Sequence, residues 1–121
     1  MVKKILCALF WLGLTAAPVW AEAPLGDFRC VGSNPGQQKP YKGYVHIEKS
    51  GETYTVLWRF GATTYIGTGI EQGDAFAVIF SKTESTNYGL ILFRKDKKKG
   101  HWIGRWTQPG SKAVGSEVWG K

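Results

Sequence analysis

From Gly26 onward one short pattern recurs eight times: a run of about six to nine residues rich in β-branched and aromatic side chains, then a break carrying glycine or another turn former. The runs are 26–32, 41–49, 53–60, 63–71, 74–82, 88–95, 100–107 and 113–120. This spacing predicts an all-β fold, with no stretch holding the 3.6-residue period of a useful helix. Ser50-Gly51, Phe60-Gly61, Gln72-Gly73 and Lys99-Gly100 supply tight turns, and Asn34-Pro35-Gly36 opens a longer early loop. Short turns join antiparallel neighbours, so the expected topology is an up-and-down meander. Eight strands can close it into a single small antiparallel β-barrel, whose lumen side chains fill or one small ligand occupies; the alternative is a two-sheet β-sandwich. Closure would also remove the strand edges that invite aggregation.

A period of two assigns faces. In the third run Tyr54, Val56, Trp58 and Phe60 share one side, and in the seventh Trp102, Gly104 and Trp106 oppose His101, Ile103 and Arg105. The stretches Ala75–Phe80 and Leu90–Phe93 are instead apolar on both sides. Such strands call for cover on both faces, which points to an oligomer interface or a partner-binding face on runs 74–82 and 88–95.

The residues before the first run have a different character. Lys3 and Lys4, an apolar stretch from Ile5 to Leu14, and Val19-Trp20-Ala21 together describe a secretory signal peptide over residues 1–21, cleaved after Ala21. The apolar stretch is shorter than the ~20 residues that span a bilayer, so no transmembrane segment is expected. A single domain over 22–121 would then be secreted or periplasmic. Cleavage removes Cys7 and leaves Cys30 alone, with burial beside Phe28, pairing between chains and reactivity all open to it. The full chain carries a net charge of +7, and losing Lys3 and Lys4 leaves +5. Arg94, Lys95, Lys97, Lys98 and Lys99 against Asp96 supply most of that, so the basicity is a local feature.

Catalytic signatures are missing. There is no Gly-x-Ser-x-Gly elbow, phosphate-binding glycine loop, His-Glu-x-x-His or cysteine pair, and no enzyme or cofactor is expected. The two histidines, His46 and His101, lie on the more polar faces of their strands and lack a third metal ligand. Glu71, Asp74 and Glu117 are expected in turn and surface roles, since nothing around them signals burial. Two candidate sites remain. The basic turn of Arg94, Lys95, Lys97, Lys98 and Lys99 could attract an anionic macromolecule, with nucleic acid disfavoured because the charge is not spread along an aromatic-studded groove. Trp58, Trp102, Trp106 and Tyr54 could line a pocket for a small apolar ligand.

The motif order Tyr41-Lys42-Gly43-Tyr44-Val45-His46-Ile47, Thr55-Val56-Leu57-Trp58, Gly67-Thr68-Gly69-Ile70, Gly73-Asp74-Ala75-Phe76-Ala77, Gly89-Leu90-Ile91-Leu92, Gly104-Arg105-Trp106-Thr107 and Gly115-Ser116-Glu117 resembles a group of small secreted proteins of proteobacteria loosely labelled "fibronectin-binding protein". The resemblance implies an exported β-protein with an adhesive role and brings no catalytic residues with it. The chain departs from that group in a longer stretch over Ser33–Pro40 and in the lysines of 95–99, where a plain turn is usual. The expectation is therefore an exported, non-enzymatic binding protein. It would engage an extracellular or envelope macromolecule through loops and the basic turn, carry a small apolar ligand in its lumen, or act as an inhibitor or assembly factor through its apolar strands.

Overall fold

The computed structural model describes residues 23–121, which form a closed barrel of eight antiparallel strands in sequence order. The expected signal peptide over 1–21, its cleavage point and Cys7 lie outside the described residues. The strands are β1 (Gly26–Ser33), β2 (Pro40–Ser50), β3 (Thr53–Phe60), β4 (Thr63–Gln72), β5 (Ala75–Lys82), β6 (Tyr88–Asp96), β7 (His101–Thr107) and β8 (Gly115–Gly120). Each pairs with its sequence neighbours, and β8 closes on β1 through pairs such as Cys30 with Trp119. The meander and the barrel are thus as the run spacing predicts, and the two-sheet sandwich is excluded. β8 begins two residues later than its apolar pattern, because Ser111 ties the preceding loop to Ala113 through both its backbone groups. The tight turns form where glycine reaches positive φ, as at Gly61 between β3 and β4 (64°) and Gly73 between β4 and β5 (62°).

An up-and-down path gives the barrel two distinct ends. The loops 34–39, 61–62, 83–87 and 108–114 surround one end, here called the mouth. The turns 51–52, 73–74 and 97–100, with the N-terminal segment and Lys121, form the other, the base. Alternation sends Phe28, Cys30, Val45, Ile47, Val56, Val78, Ile91, Phe93 and Trp119 inward, where they fill the middle of the lumen. Trp119 is its centrepiece: fully buried, it stacks 4.0 Å from Phe93 and contacts Trp58, Phe76 and Phe28. Pro24, also fully buried, folds under the barrel and stoppers the base. Lys121 fastens this segment by donating from Nζ to the Leu25 carbonyl at 3.3 Å while lying 4.2 Å above the Phe28 ring.

Candidate functional site

Five aromatic side chains ring the mouth. Tyr41 on β2 meets Phe60 on β3 edge to face at 5.2 Å, Phe60 meets Tyr65 on β4 at 5.9 Å, Tyr65 meets Phe80 on β5 at 6.1 Å, and Phe80 meets Trp106 on β7 at 6.1 Å. The circle closes through one carbonyl, that of Ser116 on β8. Trp106 Nε1 donates to it at 3.3 Å, and the Tyr41 hydroxyl lies 3.3 Å from it. Trp58 sits below, 5.9 Å from Phe80. These rings enclose an open cavity of about 360 Å³, at the lower end of the range that holds small organic ligands.

The rings owe their places to cross-strand glycines. Gly115 pairs directly with Trp106, and Gly32 with Tyr41. A methyl group at either glycine would collide with the facing ring, so each aromatic lies flat over bare backbone on the next strand. This is how side chains from separate strands can lean over one opening without blocking it.

Glu117 lies at the cavity floor, buried at 3% exposure. Its Oε2 accepts from Trp58 Nε1 at 2.7 Å and Trp119 Nε1 at 2.8 Å, and its Oε1 accepts from the Tyr41 hydroxyl at 2.7 Å. A hydroxyl has one proton, so this short contact takes it in preference to Ser116. Indole N–H groups can only donate, so the arrangement serves an acceptor-only carboxylate. No ion pair includes Glu117 among the described residues. Its neighbours register that lone charge: burial first, and then the Glu117 carboxylate, push both the Cys30 thiol and the Tyr41 phenol well above their ordinary ranges.

The surface role expected for Glu117 is therefore corrected. It stands on the inward face of β8 with Gly115 and Trp119, while Ser116 points out. Glu71 and Asp74 keep more ordinary parts: Glu71 accepts from the Tyr54 hydroxyl at 2.9 Å, and Asp74 accepts from Arg94 at 3.1 Å. His46 bridges Asp27 and Glu48 on the outer surface, which raises its pKa, chiefly through the Glu48 hydrogen bond. Cys30 is buried at 1% exposure, settling its three open fates in favour of the first.

The four aromatic residues expected to share a pocket do not come together. Trp58 and Trp106 line the mouth cavity, whereas Tyr54 and Trp102 face a separate recess at the base, with Lys49, Lys95 and Lys121 around it. The basic turn belongs to that base as well. Arg94 is engaged with Asp74 and Lys95 lies 6.0 Å over Trp102, while Lys97, Lys98 and Lys99 are exposed and join no ion pair among the described residues.

Outside the barrel, β1–β3 present charged and polar residues such as Asp27, Arg29, Lys42, Glu48 and Arg59, while β4–β7 present Ile66, Ile70, Ile79, Leu90, Leu92 and Ile103, each about half exposed. The outer sides of the two doubly apolar runs thus lie bare among the described residues. No helix among the described residues is long and apolar enough to cross a membrane. Compared with protein-family models and with curated proteins, the chain matches none.

Proposed function

We propose that this chain is an exported, non-enzymatic binding protein that holds a small ligand in the mouth of its barrel. One observation carries the reading: a cavity of about 360 Å³ walled by aromatic rings, with a single buried polar network converging on its floor. Apolar walls supply contact area and a few fixed polar groups supply orientation, the usual division of labour in small-molecule sites. The filled middle of the lumen and the Pro24 stopper support a shallow, one-ended vessel rather than a through-channel. Native mass spectrometry of the exported protein tests the reading, beside a Trp106→Arg variant whose long side chain would occupy the mouth. The wild type is expected to carry a non-covalent small-molecule mass that the variant lacks. A wild type that is bare and takes up nothing from a panel of small aromatic compounds would sink the proposal.

A second reading rests on the base. Lys97, Lys98 and Lys99 project from the turn with no acidic partner among the described residues, beside Lys49 and Lys121. This favours attraction of an acidic extracellular or envelope macromolecule, in keeping with the adhesive role that the family resemblance implies. Exchanging the three turn lysines for glutamine should shift elution from a heparin column to much lower salt and leave uptake at the mouth unchanged. Equal elution of the two proteins would remove this reading.

A further inference from the structure

We infer that the ligand of the mouth cavity is an organic cation, an ammonium group attached to an apolar body, recognised by the carboxylate of Glu117 and the surrounding ring faces. The inference rests on the proposed reading of the cavity as a ligand site and assigns the ligand its charge.

Three features of the cavity set that sign. Among the described residues, the one acidic or basic side chain that lines it is the Glu117 carboxylate, and no lysine or arginine does. Lys39 and Lys112 stand on loops of the same end but are exposed to water, where their fields are screened, while Glu117 is enclosed and its field is not. An anion entering the cavity would meet an enclosed like charge, a juxtaposition that costs several kcal/mol by the usual estimate, about a thousandfold in affinity.

The carboxylate also lacks a cationic partner. Two indoles and a phenol donate to it and the weakly donating Cys30 thiol lies against it as well, yet no lysine, arginine or histidine pairs with it among the described residues. Tyr41 and Trp58, which donate to Glu117, line the cavity themselves, so the network is contiguous with the ligand space. A neutral hydroxyl offers one more hydrogen bond at most, whereas a cation also neutralises the buried charge.

The walls agree with the floor. Tyr41, Phe60, Tyr65, Phe80 and Trp106 form a near-continuous belt of rings, and the electron-rich faces of aromatic rings attract ammonium groups more strongly when water is excluded. Aromatic walls around a carboxylate give a cation two attractive partners at once.

The test uses three probes that share one indole body and differ in charge: tryptamine, tryptophol and indole-3-acetate. Binding to the exported wild-type protein is measured by isothermal titration calorimetry, and repeated with Glu117→Gln. Glutamine keeps an oxygen for the two indole donors and an amide facing the Tyr41 hydroxyl, so the fold should persist. Tryptamine is expected to bind at least tenfold more tightly than tryptophol, with indole-3-acetate weakest. Glu117→Gln should abolish the preference for tryptamine over tryptophol. Tryptophol or indole-3-acetate binding as tightly as tryptamine would overturn the charge assignment and leave the ligand-site reading standing. Failure of all three to bind would overturn both. The wild-type comparison decides the matter by itself if the variant does not fold.

Discussion

Glu117 holds two indoles and a phenol at once, and that shared dependence sets what its loss would do. Glu117→Ala strands the Trp58 and Trp119 N–H groups and the Tyr41 hydroxyl in a site closed to most water, and should cost roughly 2–4 kcal/mol in chemical denaturation, whereas Glu117→Gln should cost much less. Cys30, close to this network, should resist iodoacetamide in the native protein and react once the chain is unfolded, since burial and the neighbouring carboxylate keep its thiol protonated; intact mass after timed alkylation reads the difference. The outer surface offers a titration of opposite kind. Glu48 and Asp27 raise the folded pKa of His46 above its ordinary 6.5, so the stabilisation they give is fully present below that value and fades as pH rises through the folded one. His46→Gln should flatten the melting temperature across that window. Glu117 was within reach of the sequence, because alternation from Trp119 puts it on the same inward face; nothing in the sequence announced the three donors from β2, β3 and β8 that make its burial tolerable.

At the scale of strands, the glycine–aromatic pairs govern the site. Gly115→Ala should displace Trp106, weaken ligand uptake at the mouth and destabilise the barrel by about 1–3 kcal/mol, the usual effect of overpacking; thermal unfolding and ligand titration measure the two effects separately. The eight strands and their turns were legible because β-branched and aromatic runs, glycine breaks and period-two alternation all pointed to the same meander. The grouping of Tyr54 with Trp58, and of Trp102 with Trp106, shows where face reading stops. Each pair is four residues apart along a strand, about 13 Å at the usual rise, so residues on one face still stand at opposite ends of so short a barrel. Which inward residues meet across the lumen depends on the closure of β8 on β1 and on the pairing register, and composition does not encode these.

For the whole molecule, the inner and outer faces of β6 should respond oppositely to the same substitution. Leu90→Lys and Leu92→Lys replace half-exposed side chains and should change stability by no more than about 0.5 kcal/mol, while Ile91→Lys puts a charge among Trp106, Phe80 and Trp58 and should prevent folding; circular dichroism of the purified proteins distinguishes them. That outcome would make the outer side chains dispensable to the barrel that carries them. The Pro24 stopper has a consequence of its own. A vessel sealed at one end has a single doorway, so whatever occupies it must leave before a successor can arrive, and exchange cannot proceed by displacement from behind. A bulky label on Lys121 should leave that traffic untouched, whereas the same label on the 34–39 loop would stand in the doorway.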